Sequence, residues 1–327
     1  MTGNFKGQST FDGNNNVSNG QNVLNFAGDS AWNTGLNNIS GTANNTITLT
    51  DNAQMHVANK VVNGINVIAM SGASKWDKAS NVSGGGNNTI TMTGTSTWDG
   101  ISTVTGGTNA IIMSGAAGNT WTGNSIVSGA NTVNTITLNG TGSKWKGDST
   151  LASGTNSVTV AGSSAMEGNN IINGGNNYIN VADTGKITGD TKVNNAGQNT
   201  ITMTGGNIDG NIDVNNAGQN TITMSGEALI SGGNITVNDT ASANTMSVSG
   251  NAIIENNLIN KGGTMAGTFA GNSQLGNNGT STAANNTINA GTTELSFGGQ
   301  STWLGNNTVT GTGTNKITLN GTTGNVL

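Results

Sequence analysis

Short bursts of alternating apolar and polar residues recur along the whole chain. In Thr89-Ile90-Thr91-Met92-Thr93 the apolar Ile90 and Met92 share one side and three threonines share the other. That period of two belongs to a half-buried strand and not to a helix. Asn-Thr-Ile-Thr-Met-Thr-Gly stands at 88–94 and again at 199–205, with Asn-Thr-Ile-Thr-Met-Ser-Gly at 220–226. Weaker copies begin at 22, 45, 66, 109, 134, 156, 177, 244 and 315, and degenerate ones near 1, 265 and 293. Fifteen copies at a mean spacing of about 22 residues account for the chain.

Two columns of each heptad stay apolar. The third position runs from Leu24, Ile47, Ile68 and Ile90 to Ile317, and the fifth from Phe26, Leu49, Met70 and Met92 to Leu319. After a Gly or Asp turn a second short element supplies Phe11, Trp32, Met55, Trp76, Trp98, Trp121, Trp145, Met166, Ile187, Ile208, Ile230, Ile253 or Ile254, Leu275 and Trp303, which gathers all six tryptophans. A third supplies Ile39, Val62, Val82, Val104, Val127, Leu151, Ile172, Val193, Val214, Val237, Ile259 and Val309. One such unit cannot bury its own apolar side chains. Copies stacked about 4.8 Å apart let every strand pair in parallel with its equivalents and bring like residues onto like. The pattern therefore predicts an all-β fold, a right-handed parallel β-helix (β-solenoid) of about 15 coils of about 22 residues with three short strands each. Residues 1–327 are read as a single β-solenoid repeat domain, a rod roughly 70 Å long, with no separate domain.

Composition sharpens this picture. The chain has 53 Gly, no Pro and no Cys, and only 8% of its residues are charged. Proline would remove ladder hydrogen bonds, so its absence fits the stack, and it excludes collagen. Asn suits the turns, and stacked Asn side chains can hydrogen-bond along a column. Without Cys there is no disulfide framework, thiol chemistry or Cys-based metal site. A formal net charge of −5 with ten scattered basic residues argues against a nucleic-acid partner. The longest apolar runs are a few residues, so no membrane insertion is expected of this segment.

The candidate binding face is the outward side of the first strand. Thr89, Thr91, Thr93, Thr200, Thr202, Thr204, Thr221 and Thr223 would form a flat hydroxyl and methyl surface for ordered water, ice or glycan, although Thr is also simply a good strand former. Val67, Ala69, Ala110, Ile112, Tyr178 and Asn180 interrupt it. The tryptophan column could stack sugars, but Met, Ile and Leu share its position, which predicts core packing with each indole N–H on a turn carbonyl. Asp77 and Asp99 follow Trp one coil apart and could form a carboxylate pair about 5 Å apart; Asp-Gly turn chemistry is the simpler account. Asp190, Asp209 and Asp213 make a second weak patch, and His56 reads as having no partner of catalytic type. No catalytic, cofactor or metal site is expected, and the chain reads as a non-enzyme.

These Asn-Thr-Ile-Thr-Met-Thr-Gly strands, alternating with Gly-rich Ser/Thr/Asn turns, resemble the passenger region of bacterial autotransporters, the type V secretion adhesins. The resemblance covers the whole chain and is one of texture, so it carries over no functional residue. It implies an extracellular or bacterial cell-surface rod mediating adhesion, autoaggregation or biofilm formation, through self-association or contact with surface glycans or proteins. The first residues do not read as a secretory leader and the last do not read as a translocator barrel. A processed passenger segment is therefore expected, or else a subunit that polymerises end to end. The alternatives are an ice-binding Thr face and a polysaccharide-binding or -cleaving groove.

Overall fold

The computed structural model describes residues 1–40, 44–84, 86–128, 133–194, 197–215, 218–238, 242–276, 285–289, 291–311 and 313–321. They contain strands and turns only, and every strand pair is parallel. Two compact units, Met1–Gly168 and Asn169–Leu327, are each a β-solenoid. Between them they hold about 13 turns of about 22 residues. The fifteen sequence copies each place one long strand. Eight belong to the first unit, from Thr2–Phe5 to Thr155–Val160, and seven to the second, from Asn177–Val181 to Asn315–Leu319.

Register follows the repeat residue for residue. In the first unit Ile68, Ile90, Ile111 and Ile136 lie opposite one another in successive coils, as do Met70, Met92, Met113 and Leu138. All eight are buried. In the second unit Ile201, Ile222 and Met246 form the same column. Ile317 and Leu319 occupy inward positions too but are exposed, because no described strand stacks over the last one.

The third column needs two corrections. Val61, not Val62, pairs with Ile39 and Val82 and is buried. Likewise Leu258 and Asn260 point inward around Ile259. Adjacent apolar residues left the parity of these strands ambiguous, and the stacking register decides it. The three-strand unit also gives way at Asn207–Val214 and Leu229–Val237, single strands in which the second and third elements run on through a bulge near Gly210.

A buried asparagine ladder closes most coils. In the first unit Asn22, Asn45, Asn66, Asn88, Asn109, Asn134 and Asn156 each sit at the start of a long strand. Each amide nitrogen up to Asn134 donates to the next Asn Oδ1, at 2.7–2.9 Å. The second hydrogen reaches a carbonyl at the end of the third strand, for example Asn66 to Ser83 and Asn88 to Thr105. An amide can make both bonds while accepting a third, and no apolar side chain can. Asn177, Asn199, Asn220 and Asn244 repeat the ladder in the second unit. Asn88→Leu keeps the branched shape but strands a hydrogen of the Asn66 amide, the Thr105 and Gly106 carbonyls and the Asn109 side-chain carbonyl. We expect a loss of about 2–3 kcal/mol, read by chemical denaturation.

Glycine appears where stacking leaves no room for a side chain. The corner after the tryptophan strand carries Gly100, Gly123, Gly147 and Gly168, all at φ between 108° and 133°. A Cβ on Gly123 would fall 2.7 Å from the Gly100 carbonyl oxygen one coil away. The Asp-Gly signal at 99–100 thus marks a left-handed corner that only glycine fits.

Candidate functional site

The outward residues of the long strands form the site, and the two units differ there. In the first unit Thr89 lies between Val67 and Ala110, and Thr91 between Ala69 and Ile112. Only Thr93 continues a hydroxyl column, its neighbours being Ser71 and Ser114. In the second unit the columns run unbroken through three coils, after Tyr178 and Asn180 and before Ala266. Thr200, Thr221 and Thr245 are in register, as are Thr202, Thr223 and Ser247. Thr204, Ser225 and Ser249 follow at the strand ends, each with its N–H on the carbonyl of the preceding coil's inward residue. The eight predicted threonines therefore divide. Five of them gather into a patch of nine hydroxyls over three coils, and three form one row flanked by apolar rows.

Sequence reasoning passed over Ser247 and its column mates Thr268 and Ser296, which together with Thr318 extend the middle hydroxyl column to six coils. The signal was present, since Asn244-Thr245-Met246-Ser247-Val248 aligns directly on Asn220-Thr221-Ile222-Thr223-Met224. Most of these hydroxyls are half-buried by the neighbouring coils, and none belongs to an ion pair. Spacing is set by the fold at about 4.8 Å between coils and about 6.6 Å between alternate residues of a strand. The patch is a regular two-dimensional array of neutral donors and acceptors. Thr91→Ala, on the interrupted row, should change stability by no more than about 0.5 kcal/mol.

The outer column beyond Thr245 ends in charge, with Glu294 opposite Lys316 at 2.8 Å. The hydrogen bond from Lys316 holds the Glu294 carboxyl below its ordinary range, and the same bond holds Lys316 above its own. The Glu294 contribution is lost as pH falls through its lowered folded value, and that of Lys316 as pH rises through its raised one. The pair is fully exposed, so its support across the neutral range is small.

The tryptophans do not offer a binding platform. All six are 0–1% exposed. Trp76, Trp98, Trp121 and Trp145 stack at centroid distances of 4.5–4.8 Å within 10° of parallel. Only Trp32 bonds to turn carbonyls, those of Gly13 and Thr34. Trp76, Trp98 and Trp121 instead donate to the hydroxyls of Ser80, Ser102 and Ser125 at 2.7–2.9 Å. The spacing Trp-x-x-x-Ser was visible in the sequence, and the serine replaces the expected carbonyl because it opens the next strand facing inward.

His56 requires a further correction. Its Nδ1 lies 2.7 Å from Asp77 Oδ2, and its Nε2 lies 2.7 Å from Gln54 Oε1. Lys75 and Lys78 flank the same carboxylate at 3.8 Å. The corner glycine is missing in these two coils, where Val57 and Lys78 stand. Asp77 and Asp99 follow the paired Trp76 and Trp98 in adjacent coils, but Asp77 is engaged by His56 and flanked by the two lysines, and Asp99 lies opposite Thr122 on its other side. In the second unit Asp190 accepts from Asn211, Asp209 faces Lys186 at 3.1 Å, and Asp213 lies opposite Lys192. Among the described residues no group of three or more His, Asp or Glu side chains could hold a metal ion.

Comparison with known protein families, curated proteins and solved structures gives no match to this chain.

Proposed function

We propose that this chain is a non-catalytic β-solenoid displayed on a bacterial cell surface, mediating adhesion, autoaggregation or biofilm formation by face-to-face contact. The observation that carries the reading is the nine-hydroxyl patch of the second unit, built on strands whose backbone groups are already paired. With the ladders filled, the lateral faces cannot recruit a partner by strand addition, so association runs through side chains. Flat rows of Thr and Ser suit that role, since methyl groups interdigitate and hydroxyls bond across a dry interface. Only 8% of the residues are charged, so like copies meet little repulsion. The texture shared with autotransporter passengers, and the lack of Cys in a chain of 327 residues, support extracellular display.

The test is sedimentation of the purified chain across concentration, alongside settling of cells that display it. Thr202→Lys with Thr223→Lys places two ammonium groups in the middle column without touching the core. Wild type should associate with rising concentration and settle cells, and the double variant should do neither while keeping its β-sheet circular dichroism. Equal association of the two proteins would overturn the assignment of this face.

A second reading rests on the regularity of the same patch. A lattice of hydroxyls at about 4.8 by 6.6 Å could order water into ice. Ice-crystal shaping by wild type, abolished in the same double variant, would favour it over adhesion.

A further inference from the structure

The outer face of the third strands carries a recess in the first three coils of the first unit, with a volume of about 360 Å³. That lies at the lower end of the range for small-ligand sites. Two outward columns build it in register, Asn14, Leu36 and Ala58 in one and Asn16, Asn38 and Lys60 in the other. The hollow exists because Ala58 is short where it stands beside long neighbours. Leu36, 57% exposed, forms an uncovered apolar wall.

The polar groups around it have capacity to spare. Asn38 Nδ2 donates to Asn16 Oδ1 at 3.3 Å, which leaves the Asn38 carbonyl and the Asn16 amide facing outward. Lys60 is exposed and, like Lys6, Lys146, Lys192 and Lys261, has no ion-pair partner among the described residues; it is the one of these that lines the recess. An apolar wall, several amides and one unpaired ammonium match the surface of a sugar ring that carries a carboxylate. The ring's C–H face packs on Leu36, its hydroxyls bond the amides, and its carboxylate meets Lys60 in a charge-assisted hydrogen bond.

We propose that this recess binds an acidic saccharide, a uronic or ulosonic acid residue. The inference deepens the adhesive reading and rests on it for biological use, since it names a glycan class that a displayed solenoid would hold. One such contact is weak by itself, and display of many copies would raise the avidity.

Ligand-observed saturation-transfer NMR on the full chain tests it, with glucuronic acid and N-acetylneuraminic acid as probes and glucose as the neutral control. Wild type should give signal with the acids and several-fold less with glucose, and the acid signal should fall as salt is raised. Lys60→Glu should abolish acid binding, and Lys60→Gln should weaken it about two- to five-fold at low ionic strength. Ala58→Trp fills the hollow and should block every probe. Both positions are exposed, so unchanged circular dichroism is expected. Absence of signal with the acids, equal signal with glucose, or full binding by Lys60→Glu would each overturn the proposal. Cell attachment by the Lys60→Glu chain keeps the two readings apart. Lost saccharide binding with intact attachment would retain the recess and remove its part in adhesion.

Discussion

Ile90→Asp should destabilise the first unit by about 5 kcal/mol or more at neutral pH, the range of an uncompensated buried charge. Ile90 is fully buried, and its ladder neighbours are Ile68 and Ile111. A carboxylate there meets hydrocarbon above, below and across the core, with no cation or amide in its column. For a unit of this size the melting temperature should fall by about 10–20 °C. The penalty should shrink on acidification, because burial raises the pKa of the new carboxyl and the folded state then accepts it protonated. Two controls define the claim. Thr91→Ala lies one residue away on the outer face and should be nearly silent. Ile317→Asp sits in the same apolar column of the second unit, but at a strand where Ile317 is already 42% exposed, and should cost far less. Similar melting shifts for all three variants would refute the division into inner and outer faces.

That division was the part of the fold most legible from the sequence. Inward columns such as Ile68, Ile90 and Ile111 repeat at one spacing, and stacking converts spacing directly into contact. The asparagine column was legible for the same reason, since Asn88 and its equivalents recur at the head of most long strands. Parity failed only where two apolar residues adjoin, as at Val61 and Val62, because either alternation then satisfies the pattern. The His56–Asp77 pair was legible but missed: the two residues follow Met55 and Trp76, which the repeat aligns in adjacent coils, and reading His56 within its own coil hid the neighbour that stacking supplies. The hydroxyl patch was half legible. Its columns could be read, yet counting threonines alone hid Ser247 and merged two faces that differ. Thr89 and Thr91 have apolar ladder neighbours, while Thr200 and Thr202 continue into Thr221 and Thr223. The recess beside Lys60 carried no motif at all, since it is defined by the shortness of Ala58 next to Leu36 and Lys60.

Trp98→Ala should cost about 3–5 kcal/mol, the usual range for removing a buried large aromatic. Trp98 is fully buried and stacks on Trp76 at 4.5 Å and on Trp121 at 4.7 Å. Its removal opens a cavity between two indoles that the ladder holds apart, because backbone pairing fixes the coil spacing and the walls cannot collapse. Stacking on both faces is lost as well, and Ser102 loses the indole donor at 2.8 Å. Chemical denaturation followed by far-UV circular dichroism measures the effect without relying on the deleted chromophore. Trp98→Phe separates the terms, since it keeps an aromatic filler and removes the donor to Ser102. Trp145→Phe supplies the comparison, because the Trp145 indole N–H is buried without a hydrogen-bond partner. Phenylalanine should therefore be tolerated better at 145 than at 98, by about 1 kcal/mol. If Trp98→Ala were as mild as Thr91→Ala, the indole column would have to lie outside the core, and a sugar-stacking role for it would return.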